Sequence, residues 1–199
     1  DRPDASLGLL RSIPMSDPLA AQARDLASRI LTDEKRFPEA YQLAYAAASR
    51  GDSTVGDYAR LGDVLSGMKR YGEAADAYGR AIQLAATQKV EQLWPLYLLR
   101  ASALENGNRW PEAKAALQHA LTLAPEQPVI LNFLGYAKLE RGEDIDAAEA
   151  MITKAVAMAP DDASIIDSLG WAQFKRGKVT EAIATLQSAA AKDPTQAEI

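Results

Sequence analysis

The sequence has no cysteine and a single histidine, His119. The first absence rules out disulfides and cysteine-based metal sites. One imidazole cannot supply the several ligands at helical spacing that a zinc or metalloprotease site needs. Nothing places a serine beside His119 for nucleophilic chemistry, so it reads as a partly exposed helix residue. Basic blocks are missing too: the net charge is −5, whereas phosphate binding usually calls for a basic face. No nucleic-acid partner is therefore expected. No apolar run approaches the ~18–20 residues of a membrane span. Twelve Gly and ten Pro are too few for a disordered or collagen-like chain. The glycines also lack the GxxxxGK[ST] spacing of a phosphate loop. The carboxylate pairs Asp161–Asp162 and Asp144–Asp146 invite an acid–base reading. Both fall in turns, where Asp caps helices, so neither a catalytic residue nor a cofactor is expected.

Alanine is frequent and β-branched runs are scarce, which favours helix almost everywhere. One short segment returns along the chain: "RFPEA" at 36–40, "RYGEA" at 70–74 and "RWPEA" at 109–113, with looser echoes at 144–148 and 178–182. The closing alanines Ala40, Ala74, Ala113, Ala148 and Ala182 are spaced by 34, 39, 35 and 34 residues. Each has a second alanine seven positions on, at Ala47, Ala81, Ala120, Ala155 and Ala189. Seven residues is two helical turns, so each pair shares a face. Small side chains there let two helices approach closely.

A second column lies one helix upstream. Leu-Gly recurs at Gly62, Gly135 and Gly170, and Arg100 stands where the glycine of the middle repeat belongs. Gly107, Gly142 and Gly177 are placed to close helices in the left-handed conformation. Pro125, Pro160 and Pro194 mark the other junctions. These features predict ten helices near 17–33, 38–50, 55–69, 72–86, 94–106, 111–124, 128–141, 145–159, 162–176 and 179–192. In the echoed motif, Pro38 and Pro111 suit a first helical turn. Glu39, Glu73, Glu112 and Glu181 bring negative charge to helix N-termini. Phe37, Tyr71, Trp110, Ile145 and Val179 are expected to plug the elbows. The motif is thus structural rather than chemical.

The pattern resembles the tetratricopeptide repeat family, whose units are helix–turn–helix pairs of 34 residues. The last unit carries the likeness best, through Leu169, Gly170, Gly177, Ala182, Leu186, Ala189 and Pro194. The resemblance implies an all-α, right-handed superhelical solenoid of about five hairpins, with units near 17–51, 55–88, 94–125, 128–160 and 162–194. The first unit lacks the usual Leu and Gly, and residues 86–93 read as a longer loop or an extended helix end. Residues 1–16, with "LGLLRSIP" at 7–14, read as the remnant of a preceding repeat, and "TQAEI" points into a further one. A longer parent array is therefore expected. The wording is similar to proteobacterial envelope-associated repeat proteins. That likeness implies a bacterial, periplasmic setting, with the cytoplasm as the alternative.

In such a solenoid the first helix of each hairpin lines a concave face. Helical spacing selects Arg24, Ser28, Ala59, Asp63, Tyr97, Ala101, Asn132, Tyr136, Asp167 and Trp171 there, with Leu104, Leu139, Phe174 and Lys175 at the edge. Tyr97, Asn132, Tyr136, Asp167, Trp171, Phe174 and Lys175 form the candidate peptide groove. Aromatics with one polar edge are frequent partner anchors. The Lys/Asn/Arg clamp by which related proteins hold acidic chaperone tails is missing. The leading expectation is a non-enzymatic adaptor that binds a peptide segment of a protein partner. The alternatives are a spacer that self-associates through its end helices and, less favoured by the charge, a helical-repeat RNA reader.

Overall fold

The computed structural model describes residues 2–14 and 16–193, so Pro194 and the "TQAEI" tail lie outside the described residues. All regular structure there is α-helical. The helices are α1 (Arg2–Arg11), α2 (Ala20–Asp33), α3 (Phe37–Ala48), α4 (Val55–Gly67), α5 (Tyr71–Thr87) and α6 (Trp94–Asn106). They continue with α7 (Trp110–Leu123), α8 (Pro128–Glu140), α9 (Ile145–Met158), α10 (Ala163–Lys175) and α11 (Val179–Lys192). The ten expected helices match α2 to α11 to within a turn. The segment read as a helix end at 7–14 belongs to α1, which stops at Arg11, short of Pro14. The chain forms two compact units, residues 1–116 and 117–199.

Short turns make consecutive helices antiparallel hairpins, and all ten paired alanines are buried. In the first unit, Leu7, Ala27, Leu31, Ala40, Ala44 and Val64 form one cluster. Leu65, Ala74, Ala75, Ala77, Tyr78, Ala103, Leu104 and Ala113 form another. In the second unit, Leu139, Ala148, Ile152 and Ala172 pack together, as do Leu131, Ala155 and Ile165. The Leu-Gly glycines sit where hairpin helices meet. A Cβ on Gly135 would lie 2.9 Å from the Ala148 carbonyl oxygen and from Ile152 Cγ1. One on Gly170 would meet Leu186 at 2.7 Å, and one on Gly62 would meet the Tyr78 ring at 2.5 Å.

The echoed motif is a helix-to-helix clasp. Each hairpin turn holds a left-handed residue, at Lys35, Lys69, Asn108, Gly142 and Gly177, and the fourth turn holds a second, Asp144. The next backbone N–H reaches back to the preceding helix, as Arg36 to the Leu31 carbonyl at 2.7 Å and Arg109 to the Leu104 carbonyl at 2.8 Å. This double turn satisfies carbonyls that a helix end would otherwise leave bare. The motif's arginine then folds forward onto its glutamate. The Nε donors of Arg36, Arg70 and Arg109 lie 2.8, 2.7 and 2.7 Å from Glu39, Glu73 and Glu112. A second guanidinium nitrogen completes each fork. The sequence reading assigned that arginine no role.

Several expectations need correction. Gly107 is not left-handed (φ −83°); Asn108 takes that place, and Gly107 instead lies under Tyr71 Cβ. Phe37 packs against Gly67, bridging to the following hairpin rather than only filling its own elbow. Ile145 and Val179 stay partly open to solvent, 36% and 50% exposed, and fill their elbows only in part. The extra residue in "GEDID" puts Asp144 in a left-handed conformation, so its carboxylate turns to Lys138 (3.4 Å) instead of capping α9. Asp162 does cap α10, accepting from Ile165 N–H at 3.1 Å. Residues 86–93 combine both readings: α5 runs on to Thr87, and a loop follows Lys89, itself left-handed.

Candidate functional site

Six of the seven groove candidates stand on α8 and α10 of the second unit, and Tyr97 stands half-buried on α6 of the first. Gly135 and Gly170 turn towards α9 and α11 because their missing side chains admit those helices. The residues one step on, Tyr136 and Trp171, are thereby rotated out of the hairpin interface by about 100°, the helical increment. The 35-residue repeat then sets matching rungs on α8 and α10: Asn132 with Asp167, Tyr136 with Trp171, and Glu140 with Lys175.

The rungs are cross-braced. Trp171 Nε1 donates to Glu140 Oε1 at 2.6 Å. Lys175 Nζ lies 3.4 Å from the same carboxylate and 4.9 Å above the indole centroid. Trp171 stacks on Phe174 at 5.4 Å between centroids, with an interplanar angle of 24°. The Trp171 hydrogen bond and the nearby Lys175 hold the Glu140 carboxyl below the usual carboxylate range. The result is a fixed aromatic ledge, with Tyr136 (38% exposed) and Phe174 (50%) open to solvent. Partial burial, with the charges of Glu140 and Asp167, pushes the Tyr136 phenol up, so it remains a hydrogen-bond donor at neutral pH.

Asn132 is the telling residue. Its Oδ1 is out of solvent and has no hydrogen-bond partner among the described residues. A buried acceptor left unmade costs about 1–3 kcal/mol. A donor arriving on this face would recover part of that cost once the Asn132 side chain turns to meet it, since the atom itself is closed to solvent. The sequence reading missed Glu140, although it lies four residues after Tyr136 and 35 before Lys175.

Other expected inner-face residues are spent on packing. Leu104 and Leu139 are core residues rather than an edge, and Ala101 is core rather than inner face, because helical rotation carries them into the hairpin interior. Ser28 is fully buried in the glycine column of the first unit. Asp63 accepts from Tyr78 Oη at 2.8 Å and pairs with Arg60 at 2.9 Å, while Arg60 also reaches Asp25 at 2.7 Å. Burial raises the Asp63 carboxyl despite these partners.

His119 is exposed on α7. Among the described residues no group of three His, Cys, Asp or Glu side chains could hold a metal ion. No helix there is long and apolar enough to cross a membrane. Asp161 and Asp146 form ion pairs with Lys192 and Arg176.

No curated protein sequence matches the chain. Among solved structures, BtubC from P. vanneervenii is similar over 97% of this chain and 89% of its own, at 18% identity and a TM-score of 0.76. YrrB, described as a TPR protein with an unusual peptide-binding site, is 18% identical with a TM-score of 0.62, covering 87% of each chain. A MamA fragment (41-end) from Desulfovibrio magneticus RS-1 is 15% identical with a TM-score of 0.66, covering 87% of this chain and 97% of its own. These identities speak to the fold alone. Models of the tetratricopeptide repeat match residues 98–163, 134–197 and 58–88. On that match and the hairpins above, the chain belongs to the tetratricopeptide repeat family.

Proposed function

We propose that the protein is a non-enzymatic scaffold that holds a peptide segment of a protein partner on the α8–α10 face. The observation that carries this reading is the unmet Asn132 Oδ1 beside a braced aromatic ledge. An extended backbone supplies N–H donors for such an acceptor, and Tyr136 and Phe174 offer anchoring surface without first having to be ordered. The face is tested with the double variant Tyr136→Ala/Phe174→Ala, chosen because both rings are substantially exposed and their loss should spare the fold. Capture of native partners should disappear while helical circular dichroism and melting stay unchanged; undiminished capture counts against the face.

A second reading, self-association, is favoured by Val179 and Ile183, which stand one turn apart on α11 and are 50% and 53% exposed. Light scattering across concentration separates the two, since a monomer at high concentration removes the second. We place the scaffold in the bacterial envelope on the likeness of its repeats, and fractionation of the source cells tests that placement.

A further inference from the structure

The first unit carries a depression on the side of its second helices, away from the face its first helices present. It lies between α3 and α5, with α4 beneath. One hollow of about 270 Å³ is lined by Tyr41, Tyr45, Tyr58, Leu61, Asp76 and Arg80, among others. A second, of about 320 Å³, continues from it past Arg50, Gln83 and Thr87, and shares Tyr58 and Arg80. The α5 lining residues from Glu73 to Thr87 follow one helical stripe. That stripe is about 21 Å long at 1.5 Å per residue.

Few of the trough's polar groups are engaged, although Arg70 already lies 4.8 Å over the Tyr41 ring. Tyr45 (54% exposed) stacks on Tyr41 at 5.5 Å, and among the described residues neither its hydroxyl nor that of Tyr58 makes a hydrogen bond. Arg80 makes no ion pair or hydrogen bond among the described residues, so its guanidinium donors are unspent. On the acceptor side, the Glu73 carboxylate is already forked by Arg70. Of the donors, Arg50 is already taken by Asp52. Asp76 makes no hydrogen bond among the described residues, and its charge acts on Arg109. The trough therefore offers aromatic walls, an apolar floor, the unspent donors of Arg80, two phenols that can donate or accept, and one carboxylate without a hydrogen bond.

A ligand complementary to that set brings acceptors, few donors, apolar rings and one positive charge. A polyproline II segment fits: its carbonyls are unpaired, each proline lacks an N–H, and its rings lie flat on tyrosines. At 3.1 Å per residue, the stripe takes about seven residues. We propose that the α3–α5 trough is a separate binding site for an extended proline-rich peptide, with a Lys or Arg of that peptide set against Asp76. Arg80 and the phenols of Tyr45 and Tyr58 hold its carbonyls.

The test is selection of a random dodecapeptide display library on the whole chain, with the best peptide then measured by fluorescence anisotropy. Selected sequences should be proline-rich with one basic residue. Tyr45→Ala should weaken the best peptide about tenfold or more, as loss of an aromatic anchor does. Tyr45→Phe should cost less, and Asp76→Lys should reject the basic peptide but accept its charge-reversed version. Tyr136→Ala should change nothing, which keeps this site distinguishable from the α8–α10 face. Tyr45 is exposed, so its variants should melt like the parent. Selected sequences without proline, or binding indifferent to Tyr45→Ala, overturn the proposal. So does a concentration-dependent dimer that Tyr45→Ala abolishes, which would give the trough to a second copy of the chain.

Discussion

Replacing Gly135 by alanine sets two effects of opposite sign against each other. In a helix interior the exchange should help, because alanine is favoured over glycine by about 0.8–1 kcal/mol. Here the added methyl would sit 2.9 Å from the Ala148 carbonyl oxygen, 2.9 Å from Ile152 Cγ1 and 3.2 Å from Met151 Cβ. One of those neighbours is backbone and another is the root of a side chain, so neither can swing away. Overpacking of this kind costs about 1–3 kcal/mol. The steric term should win, and α8 must back away from α9 by a few tenths of an ångström. At about 2–4 °C per kcal/mol for a chain of this size, melting should fall by a few degrees. Gly72→Ala is the control: on α5, nothing lies within 4 Å of its added Cβ, so it should be neutral or stabilising. Urea titration followed at 222 nm reads both variants. A Gly135→Ala protein as stable as the parent would refute the close-approach account of the Leu-Gly column.

Other expectations follow from the clasps and turns. Gly177→Ala should destabilise by about 1 kcal/mol, since a left-handed backbone strains any L side chain, and Gly177 has φ +75° with open space around it; chemical denaturation reads the loss. Lys69→Gly, at φ +60°, should raise the melting temperature for the same reason. Hydrogen bonds from Arg36, Arg70 and Arg109 hold Glu39, Glu73 and Glu112 below the ordinary carboxylate value of 4.5. Groups depressed on folding contribute stability above their unfolded pKa and lose it as pH falls through the folded one, so melting should decline below about pH 4.5. The triple Gln variant at these positions should show a flatter acid limb. Asp63 is raised by burial and runs the other way: its contribution is present at low pH and lost as pH rises through its folded pKa, so Asp63→Asn should flatten that opposing trend.

Helices and hairpins were legible because alanine pairs, Leu-Gly steps and turn residues repeat, and each repetition independently reports one register. Single-residue backbone states were less so. Gly107 looked like a left-handed closer, yet Asn108 takes that conformation because the turn is counted from the helix end rather than from the glycine. The arginine of the clasp escaped notice because an Arg–Glu pair three apart is common on any helix surface. Its meaning appears only once the preceding residue is seen to be left-handed. Spacing sets Asn132, Tyr136, Asp167 and Trp171 at matching positions of α8 and α10. It could not tell an open ring from one already engaged, as Trp171 is by Glu140. Nor could it separate Leu104 and Leu139 from the surface, since a helix edge differs from its buried side by one rotational step. The trough between α3 and α5 joins tyrosines from separate helices with no shared periodicity.

The claim on which the functional account turns is that the α8–α10 face, with its open rings and unmet amide, is where a partner's segment lies. A photoreactive phenylalanine at Phe174, in extract of the source cells and followed by mass spectrometry, addresses this directly. Lys154, exposed on α9, serves as the control position. The account predicts crosslinks from Phe174 to a discrete segment of one partner, lost with Tyr136→Ala, and none from Lys154. Equal crosslinking at both positions, or none at Phe174, would contradict it.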